Sequence, residues 1–169
     1  MKNVIMLFAA LLLTVAVSAQ DPKKGPAPSP AAVAEGKIAG KSVVINYAQP
    51  AVKGRKIWGD LVPFGKVWRT GANSATTITL DKDVKIEGQA LKAGKYSIFT
   101  IPNADEWTII FNSKSDQWGA YSYSDKDDVL RVKVKPGKAA AFTERMTFTV
   151  DTKMVNFAWE NLAVGFKVE

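Results

Sequence analysis

The chain has 169 residues, a formal net charge of +7, and neither histidine nor cysteine. Without these two residue types it cannot build a Ser-His-Asp or Cys-His nucleophile, the usual zinc, copper or haem sites, or a disulfide, so we expect no metal or cofactor. Lysine outnumbers arginine 19 to 4. Nucleic-acid readers rely on arginine for base contacts, so we expect no nucleic-acid partner.

The first 19 residues have the features of a secretory signal peptide. Lys2 precedes an apolar run over residues 4–17, and the small residues before Gln20 suit cleavage after Ala19. The run is shorter than the ~20 residues that a membrane span needs, and no later segment is apolar enough to cross a bilayer. We therefore expect a periplasmic or secreted protein with no membrane span after cleavage. Loss of Lys2 lowers its formal charge from +7 to +6.

Residues 20–30 form a Pro-rich segment before the domain. They include four of the eight prolines and can bury little apolar surface, which predicts a flexible spacer. A single domain then covers residues 31–169, a length that supports one hydrophobic core.

The domain consists of short apolar-alternating stretches with no sustained helical period. Strands are predicted at residues 42–48, 75–80, 84–86, 95–101, 107–111, 129–135, 142–150 and 155–168. Residues 95–101 are apolar on both faces, which predicts a central strand, and Trp107 and Trp159 are predicted core residues. Apolar positions switch parity at Glu160 and Asn161, which predicts a turn or a bulge. Eight to ten such strands predict an all-β domain, an antiparallel β-sandwich or jelly roll.

One long segment, the basic loop of residues 53–73, fits no predicted strand. It holds five basic side chains against one acid, together with Trp58, Trp68 and four glycines. Long ordered loops on a rigid framework tend to carry function, so we expect a site here. The pattern near residues 57–61 is compatible with one helical turn.

Two arginines and an asparagine in the basic loop suggest an anion site. Arginine binds planar oxyanions through two parallel hydrogen bonds, and Gly71 would let the backbone turn sharply. Arg55, Arg69 and Asn73 could then converge on a carboxylate, a sulfate or a uronic acid. Alternatively, both arginines bind carbonyl groups of their own loop or pair with Asp60.

Aromatic residues recur at residues 117–123. Rings around Gly119 could form an exposed platform for a sugar, with Tyr121 and Tyr123 on the face opposite Trp118, or they could complete the core. The predicted ligand-binding residues are Arg55, Trp58, Trp68, Arg69, Asn73, Trp118 and Tyr121.

The densest carboxylate cluster is Asp125, Asp127 and Asp128. Two facing carboxyl groups could hydrolyse a glycosidic bond, and oxygen ligands could hold calcium. Most such runs are solvated turns, and Lys126 opposes a bound cation.

Four segments closely resemble the bacterial secreted family known as domain of unknown function 2911: GRKIWGDLVPFGKVWRTGANSATTITL, LKAGKYSIFTIPNADEWTIIFN, QWGAYSY and DVLRVKVKP. The resemblance covers about residues 30–168. It implies an exported, mostly β bacterial protein without an assigned activity, so no catalytic residue can be transferred. Arg55, Trp68, Arg69 and residues 71–73 lie in the family's signature stretch, which gives them no role.

The residues favour a non-catalytic binding module for a carbohydrate or a small anionic ligand. The alternatives are a carboxylate-dependent glycoside hydrolase and an assembly or interaction domain of the cell envelope.

Overall fold

The computed structural model describes residues 28–169. The predicted signal peptide and residues 20–27 of the predicted spacer lie outside the described residues. Within 28–169 the regular elements are ten strands and one 3-10 turn, Asp125–Asp127. This confirms the predicted all-β class. No helix in this part of the chain has the length and apolarity of a membrane span.

The first layer is a six-stranded antiparallel sheet in the order β1-β2-β3-β6-β7-β8. Its strands are β1 (Ala31–Ile38), β2 (Lys41–Ala48), β3 (Thr76–Leu80), β6 (Gly94–Ile101), β7 (Trp107–Asn112) and β8 (Asp128–Val134).

The second layer is built on a long two-stranded ribbon, β9 (Gly137–Val150) and β10 (Met154–Lys167). The short hairpin of β4 (Val84–Ile86) and β5 (Gln89–Leu91) extends this layer. A bridge between Ile86 and Val168 joins the hairpin to the chain just after β10. The fold is thus an antiparallel sandwich with unequal layers.

Aromatic pairs hold the layers together. The rings of Tyr47 and Phe148 lie 4.9 Å apart, and those of Phe111 and Phe166 lie 5.4 Å apart. Each of these residues lies on the face of its strand that points into the core, because side chains alternate between the two faces along a strand. Trp107 and Trp159 are 0% and 1% exposed, which confirms the prediction that both are core residues.

Strand β6 is buried on both faces, as predicted. Ile98 belongs to the main core between the layers, whereas Phe99 packs with Ala75 and Ile110 in a small cluster on the opposite face of the sheet. Ala120 and Tyr123 cover this second cluster.

The parity switch in β10 is a bulge, as the sequence indicated. The register with β9 shifts on both sides of Glu160, and Glu160 has a φ of +57°. The extra residue changes which face of the strand is buried, so Trp159 and Val164 both point into the core.

Two local features differ from the sequence-based expectations. The strand β1 was not predicted, because its inward positions are the small residues Ala32 and Ala34. Residues 57–61 do not form a helical turn. The Val62 N–H donates to the Ile57 carbonyl at 2.9 Å, and the Gly59 N–H donates back to the Val62 carbonyl at 3.0 Å, which closes a tight turn.

Candidate functional site

The basic loop forms one wall of a cavity of about 280 Å³, hereafter the arginine cavity. Four of the seven predicted ligand-binding residues line it: Arg55, Trp68, Arg69 and Asn73. The ribbon contributes Trp159, and the residues before β1 contribute Ser29. No aspartate or glutamate is among its lining residues, so two arginines line this cavity without an acidic residue beside them.

Backbone hydrogen bonds fix both ends of the loop to the sandwich. At the first end, the Val52 N–H donates to the Glu144 carbonyl at 2.8 Å, and the Glu144 carboxylate accepts the Lys53 N–H at 2.9 Å. At the second end, Trp68 and Thr100 exchange two hydrogen bonds of 2.8 and 2.9 Å. The start of the loop is therefore tied to the sandwich by both the carbonyl and the carboxylate of the exposed Glu144.

The backbone beside Arg69 adopts a conformation that its sequence does not favour. Thr70 is buried and has a φ of +54°, which is rare for a β-branched residue and costs about 1–3 kcal/mol. The Thr70 carbonyl accepts the Thr76 hydroxyl at 2.7 Å, and the Thr70 hydroxyl lies 3.2 Å from that of Thr100. Strain held by such contacts is characteristic of functional sites.

Gly71 is required for space and not for a sharp turn. Its φ is not positive. A methyl group on Gly71 would lie 3.0 Å from the Thr76 hydroxyl and 3.3 Å from the Ala48 carbonyl oxygen. The predicted reason for this glycine was therefore wrong, because the positive φ values fall on its neighbours Thr70 and Asn73.

Arg55 fits the alternative in which an arginine binds its own loop. Its Nε donates to the Val52 carbonyl at 3.1 Å, and its Nη2 donates to the Ala51 carbonyl at 2.5 Å. These bonds hold the guanidinium at the cavity wall, where its charge acts on the cavity. Asp60 forms no ion pair with Arg55 or Arg69.

Arg69 does not fit that alternative. Its Nε is buried, yet it has no hydrogen-bond acceptor among residues 28–169. A buried donor without an acceptor costs about 1–3 kcal/mol, and more when the group is charged. Arg69 also lines the cavity, so a small shift of its side chain towards a ligand oxygen would remove this cost. Arg69 is therefore the strongest candidate in the cavity for contact with a ligand.

Four tryptophans form one cluster at the arginine cavity, and two of them, Trp68 and Trp159, line it. Trp58 does not line the cavity; its ring lies 5.1 Å from that of Trp107 and 5.8 Å from that of Trp159. Trp68 stacks on Trp159 at 6.0 Å with an interplanar angle of 16°.

Unpaired donors are concentrated in this cluster. Among residues 28–169, the buried side-chain polar atoms without a partner are Arg69 Nε and the indole nitrogens of Trp58, Trp107 and Trp159. All four are donors. The three indole donors are uncharged and lie among aromatic rings, whereas Arg69 carries a charge. An unpaired charged donor costs more, so Arg69 is the donor that most favours a ligand.

Trp118 and Tyr121 do not reach the arginine cavity. They are 66% and 88% exposed, so the alternative in which these rings complete the core is wrong for both. Residues 117–123 do not form a strand. Instead, Gly119 has a φ of +67°, and the Tyr121 ring packs so closely over it that a methyl group there would lie 2.9 Å from ring carbons.

The acidic cluster forms a turn and a hydrogen-bonded network. Asp125 and Asp127 belong to the 3-10 turn, whereas Asp128 accepts the Tyr123 hydroxyl at 2.6 Å and the Arg131 Nε at 2.8 Å. Burial and the neighbouring Asp128 carboxylate raise the pKa of Tyr123 to about 12. We call Tyr123, Asp128 and Arg131 the Asp128 network.

The hydrolase alternative gains little from the carboxylate positions. Asp83 and Glu169 line one shallow cavity, but Lys92 and the Ala93 N–H bind Asp83 and lower the pKa of its carboxyl group. A glycosidase acid needs a raised pKa. Among residues 28–169, no group of three or more His, Cys, Asp or Glu side chains could hold a metal ion.

Sequence reasoning missed the three residues that line the arginine cavity from outside the basic loop, Ser29, Pro50 and Trp159. Trp159 carried only the signal of a core residue, and nothing in the sequence linked Ser29 to the basic loop. Their positions depend on how the layers pack.

No curated protein and no solved structure is significantly similar to the chain. A protein-family model matches residues 29–168, which cover the described domain from the residues before β1 to the last bridge. The chain therefore belongs to the family described as "Protein of unknown function (DUF2911)".

Proposed function

We propose that the protein is a non-catalytic binding module whose arginine cavity takes a small ligand with a carboxylate group. The supporting observation is the buried Arg69 Nε, which has no acceptor among residues 28–169. A carboxylate accepts two parallel hydrogen bonds from one guanidinium. A ligand in the cavity that Arg69 lines supplies this acceptor once the side chain shifts towards it.

The charge of the cavity supports the same ligand class. Arg55 and Arg69 both line it, with no acidic residue in the lining. Two cations at a partly desolvated wall attract an anion more strongly than they would in bulk water. Asn73 adds an uncharged amide at the rim. The proposed setting is the periplasm or the exterior, as the predicted signal peptide indicates.

Calorimetric titration with glucuronate and with neutral glucose tests the proposal. We expect glucuronate to bind and glucose not to bind. Arg69→Ala should weaken glucuronate binding at least about 30-fold, because truncating one partner of a buried charged pair costs roughly 2 kcal/mol or more. Arg69→Lys should recover only part of the loss, because lysine lacks the planar fork.

Lys66→Ala is the matched control, because it removes an exposed positive charge from the same loop outside the cavity. Its affinity should stay close to that of the wild type. Equal glucuronate affinity in the wild type and Arg69→Ala would contradict the proposal. An Arg69→Ala variant that fails to fold by circular dichroism would assign Arg69 a structural role instead.

A further inference from the structure

A second cavity of about 320 Å³ lies beside the arginine cavity, on the outer face of the six-stranded sheet. Asn46 and Thr77 are directly opposed on β2 and β3, so their side chains project from the same face. Lys95 on β6 and Asp116 also line this space. We call it the polar cavity.

The two cavities share a wall. Ala72 and Asn73 line both. The Asn73 side chain donates to the Ser29 carbonyl at 3.3 Å on the arginine side, and the Asn73 carbonyl accepts the Gly119 N–H at 3.0 Å. A ligand held at Arg69 would therefore extend past Ala72 and the exposed Asn73 to enter the polar cavity.

An exposed aromatic ring stands next to the polar cavity. Ser74, which lines the cavity, is directly opposed to Trp118 in an antiparallel bridge, so the two side chains project from the same face. Trp118 is 66% exposed. An exposed indole beside a concave polar surface is a typical recognition feature, because its flat face can pack against the C–H groups of a sugar ring.

The chemistry of the two cavities differs in a way that defines the ligand. The polar cavity combines amides, hydroxyls, one cation and one anion: Asn46, Ser74, Thr77, Lys95, Asp116 and Gln117. This mixture of donors and acceptors suits uncharged hydroxyl groups, whereas the arginine cavity carries two cations and no acid. One ligand that meets both requirements has a carboxylate at one end and a neutral polyhydroxylated body.

Resting on the proposed function, we infer that the ligand is an acidic oligosaccharide. Its uronic acid carboxylate binds Arg69, and the neighbouring neutral sugars pass Asn73 into the polar cavity and stack on Trp118. Neither cavity alone combines the two arginines with a neutral polar surface.

Titration with glucuronate alone and with glucuronate linked to one or two xylose units tests this inference. We expect at least a tenfold gain in affinity from the xylose units. Asn46→Ala and Trp118→Ala should remove the gain and leave the affinity for glucuronate alone unchanged. Phe142→Ala is the control for Trp118→Ala, because Phe142 is 56% exposed on β9, and it should keep the gain.

The two proposals fail differently. If glucuronate binds but the xylose units add nothing, the arginine cavity stands and the extended ligand is wrong. A gain that survives both Asn46→Ala and Trp118→Ala would also overturn the extended site. If neither glucuronate nor its xylosides bind, both proposals are wrong.

Discussion

Two arginines of this protein have opposite surroundings. Arg131 in the Asp128 network is 44% exposed in its side chain, yet it donates to both the Asp128 carboxylate and the Tyr123 hydroxyl. Arg69 is less exposed, but its Nε has no acceptor among residues 28–169. The cost of an unpaired donor rises with burial. Stability alone would therefore favour a partner for the less exposed Arg69 before one for Arg131, and the protein shows the reverse. The comparison distinguishes an arginine that serves the fold from one that is available to a ligand.

Replacing each arginine by methionine gives the largest contrast in stability. Arg131→Met should lower the free energy of unfolding by about 2 kcal/mol, because it leaves the Asp128 carboxylate, 6% exposed, without its cation. Arg69→Met should change it by less than about 1 kcal/mol, because no internal partner is lost. Urea denaturation of both variants measures the difference. If Arg69→Met lowers the free energy of unfolding as much as Arg131→Met does, Arg69 also serves the fold.

Substitution of Asn73 separates its backbone role from its side-chain role. Asn73 has a φ of +60°, so Asn73→Ala should cost about 1 kcal/mol, whereas Asn73→Gly, which tolerates this φ, should cost less. Both variants lose the hydrogen bond to the Ser29 carbonyl. Thermal unfolding of the pair checks the order, and a glycine variant less stable than the alanine variant would contradict it.

The smallest expected effect is a loss of stability in alkali that depends on Tyr123. Its pKa is raised from 10.0 to about 12 in the folded protein. This contribution is complete below pH 10 and is lost as the pH rises through 12, because the folded state then holds the phenolic proton more tightly than the unfolded chain. Urea denaturation between pH 8 and 12 should show a shallower decline in Tyr123→Phe. If the free energy of unfolding falls equally with pH in the wild type and in Tyr123→Phe, the fold does not raise the pKa of Tyr123.

Alternation of apolar residues was enough to predict most of the fold. Val43, Ile45 and Tyr47 alternate along the predicted strand of residues 42–48 and are buried in β2, and the parity switch at Glu160 is a bulge. The strand β1 was missed because alanine on its inward face gives a weak alternating signal. At the edge of the sheet, the strand needs little apolar volume. Its pairing with β2 therefore forms the strand although alanine has a low β propensity.

The candidate site could be predicted only in part. Composition pointed to the basic loop, and the structure brings Arg55, Arg69 and Asn73 to one cavity. The sequence could not separate Trp118 from Trp68, because side chains in turns have no fixed periodicity. It also could not reveal that Arg55 binds its own loop while Arg69 does not, since that difference depends on distances across the folded chain.

The most direct test of the account is an NMR titration of the four arginine Nε–H groups with glucuronate. We predict that the Arg69 resonance shifts strongly, because its Nε–H gains an acceptor, and that the Trp159 indole resonance beside it also moves. The Arg131 resonance should stay in place, because its donors are already bound within the Asp128 network. An unchanged Arg69 resonance at saturating glucuronate, or equal shifts at Arg69 and Arg131, would contradict the central claim that Arg69 is the anion-binding residue.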